Sequence, residues 1–488
     1  MTTQRRVSAG AQSKTLKRLG GKVRALRRRD GLSQAALATR LGISASYLNL
    51  IENDRRPLPA GLLLDLAQTF GVDLASFATD DDARLQADLL EALSDGMFDP
   101  FELGAVDVRE LVERSPALAR ATLLLYRQHQ QSRAHAESLA QKLDGQDGQA
   151  VDRSTLPSEE VSDLLQRAMN HFPTLEAGAE KLWRDAKLDA DDLYPGLVQH
   201  LSRRHGVTVK IARWGAEPGT LRRFDQARRL LTLSEMLPAR SRNFQIASQM
   251  GLLDQRAALD SITSDAGLTT EESRVLCDVA LANYFAGAVL MPYAPFLRAA
   301  REERYDVEVI GRRFRVGFEQ VCHRYTSLRR PGNEGVHFHL VRIDVAGNIS
   351  KRFSGSGIRF ARFSGACPRW NIFAAFLTPG LVRLQLSRMP DGNAFFCLAR
   401  TIQRDSGGYH APHLVHAIGL GCRVEYAKEL VYSDGVDLRN LDLAVPVGVT
   451  CRSCERADCE QRAFPSMRHP LRIDPHVRGP SLYSPKPP

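Results

Sequence analysis

The chain has 488 residues, of which 43% are hydrophobic and 7% aromatic, with ordinary amounts of Gly and Pro. This length and composition predict two to four globular domains and exclude collagen-like or wholly disordered chains. The net charge is +10, and the first 58 residues, with 13 Lys and Arg against 3 Asp and Glu, carry all of that excess. We therefore expect a module that meets phosphates at this end, although a solvated basic tail has the same charge.

Four short helices are predicted after a flexible basic tail over residues 1–17. Spacing and stop signals place them at Val23–Arg29, Ser33–Leu41, Ser44–Glu52 and from Pro59 to Phe70. Ser33 and Ser44 are suitable N-caps, and Gly42 allows a sharp turn between the second and third helices. The apolar residues predicted to form one small core are Leu37, Ala38, Leu41, Ile43, Leu48, Ile51, Leu63, Leu66 and Phe70.

The third of these helices has a surface suited to the major groove of DNA. The residues expected to face base edges are Ser44, Ala45, Ser46, Tyr47 and Asn49. The residues suited to phosphates are Gln34, Arg55 and Arg56. The stretch from Ser33 to Asn53 resembles the Cro/C1-type (xenobiotic-response-element, XRE) helix-turn-helix, with its S-Q-x-x-L-A and G-I-S-x-S-Y-L-x-x-I-E-N pattern. The resemblance implies binding to a double-stranded DNA operator, usually as a homodimer.

Residues 80–143 have the pattern of amphipathic helices, and a Gly- and Gln-containing linker follows at residue 145. A helix over 104–143 is a candidate dimer contact. An intramolecular packing helix would have the same pattern, so the sequence leaves both interpretations open.

Residues 157–330 are predicted to be mostly helical, with a short β section at Val207–Ile211 and 223–233. Within them, residues 241–253 resemble the helix of ImmA/IrrE-type zinc metallopeptidases, whose pattern is F-x-x-A-H-E-x-x-H. Ser248, Gln249 and Leu252 stand where that chemistry needs two imidazoles and a carboxylate. We therefore expect a peptidase-derived fold that is not an enzyme. An active DNA-binding metallopeptidase is the disfavoured alternative.

After Pro331 the chain becomes rich in short alternating strands, and its cysteines suggest a metal site. Cys451, Cys454 and Cys459 lie close together, and in a reducing cytoplasm clustered thiols favour metal over disulfides. Cys422, at the end of a Gly-bounded strand, is the candidate fourth ligand. Four thiolates accept structural zinc or an iron–sulfur cluster, and three metal-free thiols are the alternative. The cysteines expected to be isolated and buried are Cys277, Cys322, Cys367 and Cys397.

The whole chain resembles the short-chain fatty acyl-CoA-responsive transcription regulators. Besides the helix-turn-helix, the matching segments are Leu281–Ala286, Asp344–Arg352, Cys367–Asn371, Met389–Gly392 and Cys451–Pro465. The resemblance implies an acyl-CoA effector and, in some members, a [4Fe-4S] cluster. From the residues themselves, the candidate partners of coenzyme A phosphates are Lys210, Arg342, Lys351 and Arg352. The candidate walls of the ligand site are Tyr284, Phe285 and Trp370.

The predicted fold class is multidomain, mainly α at the N-terminus and in the middle and α+β in the C-terminal part. Its predicted parts are a tail (1–17), a helix-turn-helix domain (18–80), a helical linker or dimerisation region (81–150), an ImmA/IrrE-like domain lacking H-E-x-x-H (151–330) and a ligand-sensing domain (331–488). The apolar stretch from Val275 to Phe296 contains Asp278 and is interpreted as a buried helix. The N-terminus lacks an apolar segment, so we expect a cytoplasmic protein.

The predicted function is sequence-specific regulation of transcription in response to a short-chain acyl-CoA, in control of propionate or acetate metabolism. A redox- or iron–sulfur-sensing regulator is the main alternative, because the thiol cluster rather than a thioester would then be the input.

Overall fold

The computed structural model describes residues 20–53, 55–56, 58–70, 80–101, 103–144, 157–213, 220–362, 365–404, 410, 413–456, 459–465 and 481. The tail predicted over 1–17 lies outside them. The chain divides into two compact units, one ending at Tyr126 and the other beginning at Arg127. The domain boundaries given by the sequence stay predictions.

The described part of the first unit is helical. Its helices are α1 (Gly20–Arg29), α2 (Gln34–Arg40), α3 (Ala45–Glu52), α4 (Ala60–Phe70), α5 (Asp80–Ala92), a 3₁₀ turn (Gly96–Phe101), α6 (Ala105–Arg114) and α7 (Pro116–Asp144), which continues beyond the boundary. Ser33 and Ser44 cap α2 and α3 as predicted, because each hydroxyl accepts a hydrogen bond from a backbone N–H in the first helical turn. Gly42 adopts the left-handed conformation (φ 65°) in the turn between them.

The core predicted for this first unit is confirmed. Seven of the nine predicted residues are buried in one cluster, and Ile43 and Leu63 are half-buried against it. The spacing of apolar residues in α2, α3 and α4 therefore identified the inward faces of these helices correctly.

Helices also dominate the first half of the second unit. They are α8 (Pro157–Arg167), α9 (Pro173–Asp185), α10 (Leu193–His205), α11 (Ala239–Asp254), α12 (Arg256–Asp265), α13 (Glu271–Leu290), α14 (Tyr293–Glu302), α15 (Val307–Arg313) and α16 (Phe318–Thr326). A three-stranded sheet contains β1 (Thr208–Ala212), β2 (Arg222–Asp225) and β3 (Leu230–Ser234). In the order β1-β3-β2, β1 lies parallel and β2 antiparallel to β3.

The helix α13 is the buried helix predicted from the apolar stretch. Among the described residues it alone is long and apolar enough to cross a membrane by length and composition, and half of its most apolar window is buried. It packs closely on α11, because a Cβ placed on Gly251 would come within 3.1 Å of the Phe285 ring and 3.2 Å of the Ala282 backbone. A side chain at position 251 would therefore force the two helices apart.

The C-terminal part contains a six-stranded sheet in the order β5-β4-β8-β7-β6-β9. Its strands are β4 (His339–Asp344), β5 (Ile349–Ser354), β6 (Arg383–Arg388), β7 (Ala394–Arg404), β8 (Leu414–Arg423) and β9 (Val445–Pro446), with the short α17 (Asn371–Ala374) between β5 and β6. All neighbours are antiparallel except β6 and β9. One sheet face joins the helical core through residues such as Leu340 and Leu420, and the other covers a core containing Trp370. The predicted fold class is confirmed.

Candidate DNA interface and ligand-sensing region

The residues predicted to read bases lie on the outward face of α3. Ser44, Ala45, Ser46 and Asn49 are exposed, and Tyr47 is half-buried against the core. Ser44 also uses its hydroxyl to accept from the Tyr47 N–H at 3.1 Å, so its oxygen already has a structural partner.

The residues predicted to contact phosphates differ in how free they are to do so. Arg55 and Arg56 are exposed directly after α3, and both backbone N–H groups donate to the Leu50 carbonyl. Gln34 instead donates from Nε2 to Glu52 Oε2 at 2.8 Å. A Gln34 contact to phosphate would compete with that internal hydrogen bond.

Glu52 is a residue that the sequence reasoning missed. It is 2% exposed, and Arg27 binds it in a bidentate manner, with Nε–Oε1 at 2.6 Å and Nη2–Oε2 at 2.9 Å. Burial opposes ionisation of this carboxyl, but the hydrogen bonds from Arg27 and Gln34, together with the charges of Arg27 and Arg24, outweigh burial and lower its pKa. The charged Glu52 therefore ties α1 and α2 to the C-terminal end of α3. The I-E-N part of the helix-turn-helix pattern was the available signal.

The helix α11 resembles the zinc-binding helix of a peptidase but has no zinc ligands at the corresponding positions. Ser248 and Gln249 are buried on α11, and the Ser248 hydroxyl donates to Asn283 Oδ1 on α13 at 3.0 Å. Leu252 packs against a neighbouring apolar cluster. These groups neither bind zinc nor take a proton from water, so this helix has a packing role.

The thiol cluster has a different fourth member from the one predicted. Cys451, Cys454 and Cys459 line one small cavity together with Cys367. The prediction that Cys367 is isolated is wrong, because it lies near the thiols of Cys451 and Cys454. Burial raises the pKa of Cys367, backbone hydrogen bonds oppose that rise, and the two neighbouring thiols add to it. The backbone holds Cys367 there, because its N–H donates to the Val449 carbonyl at 3.0 Å.

Cys422 lies elsewhere, which corrects its assignment as the fourth ligand. It is fully buried on β8 in the core shared with the helices, and burial raises its pKa well above the usual range. The strand prediction was correct, but residue alternation turns this side chain toward the helical core. Adjacent Cys397 was expected to be buried but is half-buried, and its Sγ lies 3.6 Å from His339 Nε2. Desolvation raises its pKa to about 12.

The chemistry of the four-thiol cluster fits a soft metal. Arg462 is 4% exposed, donates to the carbonyls of Cys451 (2.7 Å) and Cys454 (3.1 Å), and has no hydrogen-bond partner at Nε within the described chain. Arg462 also lines the cavity, so a buried cation lies beside the four thiols. In the ranges that the structure describes, however, no three potential ligands are gathered closely enough to hold an ion.

The predicted phosphate ligands on the sheet are paired with carboxylates. Arg342 and Lys351 are direct partners across β4 and β5 and both reach Glu319 Oε1, at 2.8 and 3.3 Å. Arg352 pairs with Glu159 of α8. Lys210 is exposed on β1. The structure thus brings Arg342 and Lys351 together and directs Arg352 to a different element.

The predicted aromatic walls have structural partners. The Tyr284 hydroxyl donates to Glu176 at 2.6 Å, and Glu176 is bound at 2.9 Å by buried Arg324. Burial raises the pKa of Tyr284 well above the usual range, so the phenol stays protonated. Phe285 is fully buried. Trp370 donates to the Gly448 carbonyl at 3.0 Å beside the thiols, so the three aromatic residues do not line one site.

Three family models match separate parts of the chain. The short-chain fatty acyl coenzyme A regulator C-terminal model matches residues 327–483. The IrrE N-terminal-like domain matches residues 202–326, and a helix-turn-helix domain matches residues 18–78.

Individual relatives match nearly the whole chain. The HTH-type transcriptional regulator RamB of Mycobacterium tuberculosis is 38% identical over 467 residues, covering 95% of this chain and 98% of RamB. The propionyl-CoA carboxylase regulator of Cereibacter sphaeroides is 40% identical over 460 residues, covering 94% and 97%. A solved structure titled Mycobacterium tuberculosis transcriptional regulator has a TM-score of 0.65 and 39% identity, covering 68% of this chain and all of that one.

Proposed function

The chain belongs to the family of short-chain fatty acyl coenzyme A regulators, and on that premise we propose that a short-chain acyl-CoA controls its binding to an operator. It is a helix-turn-helix transcription regulator. The observation that supports the proposed effector best is the match of residues 327–483 to the regulator model. The name of the propionyl-CoA carboxylase regulator favours genes of propionate or related acetate metabolism as targets.

For DNA recognition we propose that α3 enters the major groove. Its exposed face, Ser44 to Ser46 with Tyr47 and Asn49, would contact base edges, while Arg55 and Arg56 would bind phosphates. Gln34 would reach a phosphate only by leaving Glu52.

We further propose that the regulator acts as a homodimer, because helix-turn-helix proteins usually read two half-sites. The helix α7 supports this proposal: Leu118, Leu124 and Leu125 are between 52% and 66% exposed. Exposed leucines on one helix suit a contact with a second copy.

For the thiol cluster we propose a metal centre held by Cys367, Cys451, Cys454 and Cys459. Four thiolates bind structural zinc or a [4Fe-4S] cluster, and the latter would supply redox sensitivity when bound. This is the basis of the second candidate function, a redox- or iron-sensing regulator. A peptidase activity is not proposed, because α11 has no imidazole or carboxylate at the positions that such chemistry requires.

We also propose a cytoplasmic location, where DNA and coenzyme A thioesters are both present.

Thermal-shift measurements with coenzyme A thioesters test the main proposal. A ligand that binds the native state at about 100 times its Kd stabilises it by about 2.7 kcal/mol, so propionyl-CoA or acetyl-CoA should raise the Tm. The same thioester should change operator affinity in a gel-shift assay. Operator affinity that follows oxidation while ignoring every thioester would instead support the second candidate.

Anaerobic purification with metal analysis and an absorption spectrum tests the metal centre. Cys367→Ser should reduce bound metal as strongly as Cys454→Ser does, whereas Cys422→Ser should leave it unchanged. Loss of metal in Cys422→Ser with retention in Cys367→Ser would contradict the ligand set proposed here.

A further inference from the structure

A carboxylate occupies the centre of a cationic cluster on the β4–β5 face. Arg342 Nη1 lies 2.8 Å, Lys351 Nζ 3.3 Å and His323 Nε2 3.8 Å from one oxygen, Glu319 Oε1. Glu319 and His323 are one turn apart on α16, and Arg342 and Lys351 face them from paired positions on two strands. Helix and hairpin thus direct three basic groups at one anionic atom.

The cluster combines a buried anion position with access from solvent. The side chains of Glu319 and Arg342 are 9% and 14% exposed, whereas those of Lys351 and His323 are 44% and 36% exposed. A dissolved anion can therefore approach from the Lys351 side. Arg342 is already oriented, since its Nε donates to Ser350 Oγ at 2.8 Å.

Two cationic side chains, those of Arg342 and Lys351, face the same carboxylate oxygen of Glu319. The pKa of His323 reflects this field: burial lowers it, and Lys351 and Arg342 lower it further, against the opposing effect of Glu319. Such a site favours an anion with more charge and more acceptor oxygens than a carboxylate has. Phosphate and diphosphate groups have both properties.

We propose that Glu319 is a built-in competitor of a phosphate-bearing ligand, and that it sets how tightly the Arg342–Lys351–His323 cluster binds a phosphate or diphosphate group. Bound phosphate would take the positions that Glu319 Oε1 now holds, and the carboxylate would move to solvent. An internal anion lowers the apparent affinity, because only the fraction of molecules with Glu319 displaced is competent to bind. This inference deepens the proposed acyl-CoA response and rests on it for the identity of the natural ligand.

The test compares Glu319→Gln with the wild type by titration calorimetry on the full chain. The ligands are propionyl-CoA, inorganic pyrophosphate, and propionyl-pantetheine, which lacks the phosphates. Glutamine has nearly the same shape but no charge, so we expect about tenfold tighter binding of the two phosphate-bearing ligands. Binding of propionyl-pantetheine should not change. Lys351→Met should weaken the binding of the two phosphate-bearing ligands. This variant tests the anion site if Glu319→Gln folds poorly.

Glu180→Gln is the matched control, because it removes the same charge from a partly exposed ion pair with Arg330, on α9 rather than on α16. Equal effects of the two glutamine variants, or no effect of Glu319→Gln on phosphate-bearing ligands, would overturn the inference. If wild type binds propionyl-CoA and Glu319→Gln binds it no tighter, the acyl-CoA function survives and this inference fails. If pyrophosphate binding tightens while no thioester binds, the anion site stands and the acyl-CoA function fails.

Discussion

Glu52 is a buried charge on which the geometry of the DNA-binding helices depends. It accepts hydrogen bonds from Arg27 of α1 and Gln34 of α2, and its backbone carbonyl accepts from Arg24 at 2.8 Å. These contacts hold the C-terminal end of α3, immediately before Arg55 and Arg56. Removing the carboxylate leaves a half-buried guanidinium without its counter-ion.

We therefore expect Glu52→Ala to lower the free energy of unfolding of the DNA-binding helices by about 3 kcal/mol and to weaken operator binding. Chemical denaturation followed by circular dichroism would measure the first effect. Glu110→Ala is a suitable comparison, since Glu110 forms an exposed pair with Arg114 and should cost about 0.5 kcal/mol or less. Similar losses in both variants would show that Glu52 is not a special contact.

His339 predicts a pH dependence of stability. It is 3% exposed between Ser356 Oγ (2.8 Å) and Cys397 Sγ, and burial lowers its pKa to about 3 from the ordinary 6.5. Between pH 6.5 and 3 the His339 imidazole is therefore protonated in the unfolded chain but neutral in the native state. Stability is fully present above pH 6.5 and falls as the pH drops from 6.5 toward 3. His339→Leu should flatten this part of the unfolding free energy against pH, and an unchanged slope would contradict the assignment.

At the scale of secondary-structure elements, the pairing of α11 with α13 sets the geometry of the middle region. Gly251 lets these helices approach closely, whereas Gly287, on α13 itself, has no atom within 4 Å of where a Cβ would be. The two glycines therefore make a matched pair.

Gly251→Leu should lower the Tm markedly, because the added side chain meets the Phe285 ring and the Ala282 backbone. Gly287→Ala should leave the Tm unchanged or raise it, since alanine favours a helix by up to about 1 kcal/mol over glycine. Thermal denaturation of both variants measures the difference. A stable Gly251→Leu protein would mean that the helix crossing tolerates expansion.

Elements were more predictable from the sequence than contacts between them. The caps Ser33 and Ser44 and the spacing of Leu37 and Leu48 are local signals that involve only a few neighbouring residues. The helices and their core could therefore be predicted from the sequence. Which cysteine joins Cys451, Cys454 and Cys459 depends instead on which face of the sheet each strand residue points to and on where the connecting loops run. For the same reason the pairing of Glu319 with Arg342 had no visible signal.

At the scale of the whole molecule, the charge distribution predicts strongly salt-dependent DNA binding. The first 58 residues carry the entire net charge of +10, and Arg55 and Arg56 are exposed beside α3. Each phosphate contact releases condensed counterions, so affinity falls steeply with salt.

Arg55→Ala should weaken binding to operator and unrelated DNA alike, and should reduce the slope of log K against log salt by about 1. Asn49→Ala should instead weaken binding to the operator more than to unrelated DNA, by about 1–3 kcal/mol if Asn49 reads a base edge. Fluorescence anisotropy at several salt concentrations distinguishes the two. An Arg55→Ala slope equal to that of wild type would exclude a phosphate contact.

Cys367 is far in sequence from the other three cysteines of the thiol cluster. It precedes β6, whereas its three thiol neighbours follow β9. An ion shared by all four would therefore be a reversible cross-link that encloses most of the six-stranded sheet, and closing so long a loop restricts the unfolded chain. Loss of that link should be visible as faster proteolytic trimming after residue 450, even before any change in DNA affinity.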